Sequence, residues 1–350
     1  MADTLQIDAR VAIGQPQSLN AFEIVPLVAS WHETTWLVPA LNRVTEQVRN
    51  MCTGCGPLED EIAHATAAPG KRVRAGLLLS WHAVASGNTD LDETAARAAA
   101  AIELIHEASL IHDDVCDNSF WRRGRSSVAA RFDIRRAALT GAAMAGRGVA
   151  ELAAICESKG ISLDLEDLRH LTEGQIFESL ASRTPHFTGM HPYWEIVHSK
   201  TGSLFRFACN LGARLGVCCG EVFDMKAPLL FADSLAVAFQ VLDDVLDIEA
   251  DPVFKPGRND IARGIPTWPI LEWIVSAPSP QKQWERLRQP HKSFLQIEQL
   301  YSEIVGSCSI QKARSLIREE LERAREILSE FQSGEAIDGL KQLLVFLTTR

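Results

Sequence analysis

The chain has no basic run long enough to suggest a nucleic-acid surface. Lysine and arginine number 35 against 45 aspartates and glutamates, a formal charge of −10 over 350 residues with a pI near 5.5. That balance excludes an electrostatic nucleic-acid surface. Long hydrophobic runs are missing too: Leu77–Leu79 and Leu229–Phe231 are apolar, but no stretch reaches bilayer-spanning length, so stable membrane insertion is not expected. Residues 1–16 carry Asp3 and Asp8 and lack the basic and apolar regions of a secretion signal. The protein therefore reads as soluble and cytoplasmic. Strand signals are absent, with no sustained alternation of apolar and polar residues and no Asn-Gly turn. The eight cysteines (52, 55, 116, 156, 209, 218, 219 and 308) are scattered and sit mostly in apolar helical contexts, as suits buried thiols of a reducing compartment. Cys52-Thr-Gly-Cys55 has no second ligand pair, only His64 nearby, and reads as a loop rather than a zinc site.

What is present is helical spacing. Apolar residues recur at three and four over 21–49, 58–67, 75–85, 93–116, 136–155, 163–181, 193–215, 223–250, 294–305, 311–331 and 336–349. A hydrophobic fraction of 46% is ample for a core. The expectation is an all-α fold, a single large helical bundle over residues 21–350 preceded by a poorly ordered arm at 1–20. Residues 251–269 form a Gly/Pro-rich loop, and 277–291 is polar.

Two stretches stand out. Glu103-Leu-Ile-His-Glu-Ala-Ser-Leu-Ile-His-Asp-Asp-Val-Cys-Asp117 is an apolar run that ends in carboxylates. On a helix Asp113 and Asp117 lie one turn apart, where like charges repel. The cluster calls for a cation, and carboxylate oxygens suit Mg²⁺, which completes its shell with water and substrate phosphates. One such pattern alone is commonly a solvated helix face, but Phe239-Gln-Val-Leu-Asp-Asp-Val-Leu-Asp247 repeats it at the end of another apolar segment. Facing one another, Asp113, Asp114, Asp117, Asp243, Asp244 and Asp247 would form a cage that needs divalent ions and a polyphosphate.

Basic residues are placed to match. In Ala67-Ala-Pro-Gly-Lys-Arg-Val-Arg74 the Pro-Gly pair stops one helix, and Lys71, Arg72 and Arg74 open the next against its dipole. This is either a phosphate cradle or a solvated basic turn. Arg122 and Arg123 follow the first acidic cluster and suit bidentate phosphate recognition. Lys200 and Thr201 share one segment, and Lys255 and Asp260 lie on the long loop after the second cluster, in the position of an active-site lid.

The ordered set Gly70-Lys-Arg-x-Arg74, Asp113-Asp-x-x-Asp117, Arg122-Arg-Gly124, Gly174-Gln175, Lys200-Thr201, Phe239-Gln-x-x-Asp-Asp-x-x-Asp247 and Lys255…Asp260 resembles the trans-type isoprenyl diphosphate synthases over residues 60–275. The resemblance implies a homodimer of isoprenoid-synthase-type subunits, each with a central apolar pocket capped by the two acidic helices. It implies a Mg²⁺-dependent, head-to-tail condensation of isopentenyl diphosphate with an allylic diphosphate to a longer trans-prenyl diphosphate. By the same likeness Asp113, Asp117 and Asp243 ligate three Mg²⁺, supported by Asp114, Asp244 and Asp247. Arg122, Lys200, Thr201, Gln240 and Lys255 hold the allylic diphosphate; Lys71, Arg74, His106 and Arg123 hold isopentenyl diphosphate.

The sequence departs from the family pattern at three places. Gly264-Ile-Pro-Thr-Trp-Pro269 has Ile265 where a lysine is usual, Ala142 follows Gly141 in place of aspartate, and Glu178 stands where aspartate is usual. Arg258 or Arg263 could replace the missing charge. Product length is read from the residues one to two turns before Asp113, namely Ile105, Ala108 and Ser109. None is aromatic, which points to C20 geranylgeranyl diphosphate unless Phe177, Phe205 or Phe207 forms the floor. The rival reading, a class I terpene cyclase or a prenyltransferase with another acceptor, would call for a serine in Asn259-Asp-Ile-Ala-Arg263 that is not there.

Overall fold

The computed structural model describes residues 34–54, 56–68, 70–181, 184–217, 222–249 and 259–348, without the side chains of 181 and 259. The expected arm at 1–20 and the loop residues Lys255 and Arg258 lie outside the described residues. The chain runs through α1 (Leu37–Cys52), α2 (Glu59–Thr66), α3 (Val73–Ser86) and α4 (Glu93–Cys116) into a hairpin of β1 (Trp121–Arg122) and β2 (Arg125–Ser126). There follow α5 (Val128–Arg131), α6 (Ile134–Ser158), α7 (Glu166–Ala181), α8 (His191–Ile196), a π-helical turn at Val197–Gly202, α9 (Ser203–Gly216) and α10 (Lys226–Glu249). The remainder is α11 (Asn259–Arg263), α12 (Trp268–Val275), α13 (Pro280–Arg288), α14 (Phe294–Val305), α15 (Ser309–Ser329) and α16 (Glu335–Thr348). The all-α expectation holds.

α4 is the axis. Asp92 caps it by accepting from the Ala95 N–H at 2.8 Å. The small side chains of Ala98, Ala99, Ala100 and Ala101 are fully buried, so α1, α3, α6 and α9 can close in around it. α10 is the second central helix, packed between α15 and the pair formed by α9 and the π turn. Its Phe231, Leu235, Val241 and Val245 are fully buried, and each such side chain contributes about 1.5–3 kcal/mol of apolar burial. One core cluster runs from Leu37 to Leu347. A smaller one gathers Ile62, Leu104, Ala108, Ile111, Val128, Ala137 and Met144.

Four local features differ from the sequence reading; one is α11 (Asn259–Arg263), which lies inside the stretch read as a loop over 251–269. The β1–β2 hairpin turns through Arg123 (φ 50°) and Gly124 (φ 73°); two successive positive φ values match strand twist, here without an Asn-Gly pair. The polar stretch after 277 contains α13, which starts at Pro280 and buries only Trp284 and Leu287, three residues apart. The segment expected as one helix over 193–215 is broken by the π turn.

Candidate active site

The first acidic turn closes α4, with Asp117 at its C-cap. Carboxylates there oppose the helix dipole, and each is matched by a cation. Asp114, only 4% exposed, accepts from both Nε and Nη2 of Arg122, the shorter contact being 2.6 Å. Asp113 lies 3.4 Å from Lys200 Nζ; burial pushes its carboxyl above the ordinary range, against the pull of that ammonium. Asp117, near the surface, is 3.2 Å from Arg263.

The second turn is anchored differently. Asp244 is also 4% exposed, yet it accepts from the Tyr193 hydroxyl at 2.7 Å, the Trp268 N–H at 2.9 Å and the Gln240 amide at 3.0 Å. Burial outweighs these neutral donors and pushes Asp244 up to about 6. The Asp260 N–H donates to Asp247 at 3.4 Å. The Asp260 carboxyl is itself pushed up to about 8, by burial and by the charges of Asp247, Asp244 and Asp243. Asp243 is exposed.

Two bridges bring the turns together. Lys200 and Thr201 lie in the π turn, whose extra residue shifts side-chain register on the helix. Lys200 reaches Asp113 and also Glu178, at 2.6 Å. Thr201 donates to Gln240 at 2.9 Å, and Gln240 in turn donates to Asp244. On the other side α11 joins Asp247 to Asp117 through Asp260 and Arg263. Among the described residues no three carboxylates are preassembled into a ligand cluster. The donor chemistry still suits a divalent ion: all oxygens, with Asp260 crowded by three other carboxylates.

Beside the first turn lies a cationic cradle. Arg74 Nη1 is 3.0 Å from His106 Nε2, and its guanidinium sits 5.2 Å above the Phe205 ring. Burial lowers Arg74 to about 10 and, with Arg74 next to it, holds His106 well below its ordinary value, so the imidazole is neutral. Arg123 approaches from the hairpin and Lys71 is exposed on the loop before α3. The Nε atoms of Arg72 and Arg74 and Nδ1 of His106 are buried without a hydrogen-bond partner among the described residues. Orphaned donors of this kind are costly unless an anion meets them. Phe205 and Phe239, with ring centroids 5.6 Å apart, stand between Arg74 and the second turn as a dry wall.

Of the chain-length candidates, Ile105 packs against α6, with its Cγ1 2.6 Å from the place a Gly148 Cβ would take. Ala108 belongs to the smaller core cluster. Ser109 is half-buried and donates to the His106 carbonyl at 2.8 Å. Phe205 and Phe207 are buried, whereas Phe177 is 48% exposed. At the departure site Ile265 is half-buried, its N–H bonded to the Asp260 carbonyl at 2.8 Å. Tyr193, Glu103 and Glu107 were not singled out by the sequence reading. The two glutamates share the helical phase of Asp114 in an otherwise apolar run, which was the available signal; Tyr193 gave none.

Residues 57–304 match the family model described as Polyprenyl synthetase. The chain belongs to the polyprenyl synthetase family. It is a prenyltransferase that elongates prenyl diphosphates. The all-trans-nonaprenyl-diphosphate synthase (geranyl-diphosphate specific) of Rhodobacter capsulatus is 32% identical over 294 residues, 80% of this chain and 86% of that one. The probable mitochondrial hexaprenyl pyrophosphate synthase of Neurospora crassa is 30% identical over 266 residues, 74% of this chain; the match spans only 58% of that longer protein. The polyprenyl synthase of Caulobacter crescentus, solved with calcium and isoprenyl diphosphate, superposes with a TM-score of 0.77 at 25% identity, over 96% of this chain and 99% of that one.

Proposed function

We propose that this prenyltransferase joins isopentenyl diphosphate, head to tail, to an allylic prenyl diphosphate, with C20 geranylgeranyl diphosphate as product. The observation that carries the reading is the adjacency of two unlike anion sites. One is the gap between the acidic turns, bridged by Lys200, Thr201 and Gln240. The other is the metal-independent cradle of Arg74, His106 and Arg123 with its orphaned donors. A single-substrate cyclase has no use for the second.

Asp113, Asp117 and Asp243 would hold Mg²⁺, three ions by family likeness. When bound, Mg²⁺ supplies Lewis-acid neutralisation of the leaving diphosphate. Lys200, Thr201 and Arg122 would orient that diphosphate, along with Lys255. As the allylic C–O bond breaks, its electron pair leaves with the diphosphate. The double bond of isopentenyl diphosphate, placed by Arg74, His106 and Arg123, attacks the allylic carbon, and the proton lost from the adduct passes to the released diphosphate. Phe205 and Phe239 keep water from the cation. C20 is favoured by the absence of an aromatic side chain at Ile105, Ala108 and Ser109.

A second copy of the chain is the occupant assigned to the outer face of α6. Leu139 is 60% exposed there. Contrary to the sequence reading, the helix is by length and composition apolar enough to cross a membrane, with 39% of the apolar window buried; a homodimer would cover the rest, and a monomer by sedimentation would refute that part.

The test is incubation of the purified protein with Mg²⁺, isopentenyl diphosphate and each of the C5, C10 and C15 allylic diphosphates, followed by chain-length analysis. C20 is expected. Products at or beyond C30 would refute the length, and consumption of allylic diphosphate without isopentenyl incorporation would refute the acceptor.

A further inference from the structure

α4 carries Glu103, Glu107 and Asp114 four and seven residues apart, and so on one helix side. All three are buried, at 2%, 6% and 4% exposure, and each takes one arginine from outside the helix. Arg122 on Asp114 belongs to the first acidic turn. Arg72 lies 3.3 Å from Glu103, and Arg123 lies 2.8 Å from Glu107. The condensation reading uses Arg123, Arg74 and His106 but gives the two glutamates no part.

Both partner arginines have left-handed backbones, Arg72 at φ 53° and Arg123 at φ 50°. For a residue with a Cβ this backbone is strained and persists only where the surroundings hold it. Glu103 supplies such a hold twice, since its other oxygen accepts from the Ala75 N–H at 3.0 Å in the first turn of α3. Arg123 also donates to the Ala68 carbonyl at 2.8 Å, tying the hairpin to the loop before α3. Gly70 permits this: a Cβ there would meet Arg123 Nη2 at 2.6 Å. Two loops distant in sequence are thereby fastened to one helix side, next to the helix's own His106.

We infer that Glu103 and Glu107 are positioning residues of the isopentenyl diphosphate site, fixing the loop before α3 and the hairpin so that Arg74, His106 and Arg123 converge on one diphosphate. Glu107 acts through Arg123; Glu103 acts through Arg72 and the start of α3. The inference rests on the acceptor reading above.

Calorimetric titration with isopentenyl diphosphate, without divalent metal, tests it on the wild type, Glu107→Ala, Glu107→Gln, Arg123→Ala and the Glu107→Ala/Arg123→Ala pair. Glu107→Ala should weaken binding about tenfold, the loss of one charge-assisted contact. Glu107→Gln still accepts from Arg123 and should stay within about threefold of wild type. Glu107→Ala should add nothing once Arg123 is gone, and KM for the allylic diphosphate should not move. Unchanged or tighter binding by Glu107→Ala overturns the inference, because Glu107 would then only compete with the diphosphate. An equal loss with and without Arg123 also overturns it. Should Glu107→Ala fail to fold, a Glu107→Gln variant as weak as Arg123→Ala does the same. Absence of wild-type binding overturns the acceptor assignment and this inference with it, a result distinct from wild-type binding with an indifferent Glu107→Ala.

Discussion

The two acidic turns share a pattern of residues but not a way of being held. In the first, the buried middle carboxylate Asp114 is gripped by a guanidinium, and Asp113 and Asp117 each face a cation. In the second, the equally buried Asp244 is held by a phenol, an amide and a backbone N–H, and Asp260 adds a further carboxylate to the group. The first turn is electrically paired before any ligand arrives. In the second, burial resists ionisation of Asp244 and Asp260 more strongly than the neutral donors favour it, so a divalent ion would relieve more strain there. In both, the middle residue is the buried one and the outer ones are more exposed.

The comparison is broken most directly at the outer aspartates. Asp113→Ala and Asp243→Ala should each abolish turnover, a loss of about a thousandfold or more where metal-assisted departure of diphosphate is removed. Far-UV circular dichroism should stay unchanged, since neither side chain anchors a helix. Wild-type rates in either variant would refute the metal assignment.

A smaller and more telling contrast separates the middle residues. Asp114→Asn leaves Arg122 without its charge partner and should raise the allylic KM about tenfold, with a modest stability loss because Arg122 is 40% exposed. Asp244→Asn should do the opposite to stability. Folding raises the Asp244 pKa from 3.8 to about 6, so the folded state favours the protonated acid. Stability is therefore lost as pH rises from about 4 to about 6 and is level above that. The asparagine removes that loss, about 3 kcal/mol at most, since Gln240 can turn its amide to face the new NH₂ group. Thermal midpoints of the metal-free proteins should coincide near pH 4, and the variant should lead above pH 6. A variant less stable than wild type at pH 8 would show that Asp244 is held as an anion after all.

Much of this was legible beforehand because it is local. The bounds of α4, Glu93–Cys116, match the expected helix, since an Asp cap and an Ala-rich helical pattern fix them. The acidic turns sit at helix ends as the apolar runs before them require. The anchors were not legible, because they come from far away in the chain: Tyr193 reaches Asp244 across 51 residues and Arg72 reaches Glu103 across 31. Tyr193 has no pattern that separates it from a surface residue, and the basic motif that holds Arg72 points to an anion rather than to Glu103. The π turn at Val197–Gly202 was hidden for another reason, since a single extra residue leaves the three-and-four spacing of its neighbours nearly intact. α13 was missed because Trp284 and Leu287 are too few to mark a face among charged residues.

The mildest intervention sharpens the contrast by giving the second turn a charge of its own. Ile265 stands where the family pattern has lysine, on the segment between Asp260 and Trp268, whose N–H anchors Asp244. Ile265→Lys would set an ammonium beside the most crowded carboxylates, where it can meet Asp260 in the free protein and the allylic diphosphate in the complex. Arg263 already sits on Asp117 at 3.2 Å and both side chains are half-exposed, so the gain is that of a screened pair, about 0.5–1 kcal/mol or about a threefold fall in allylic KM. In an Arg263→Ala background the same lysine should matter more, approaching tenfold. An equal effect in both backgrounds would mean that Arg263 does not stand in for the missing lysine. No effect in either would mean that position 265 faces away from the diphosphate, and that the departure at Ile265 is neutral for the first substrate.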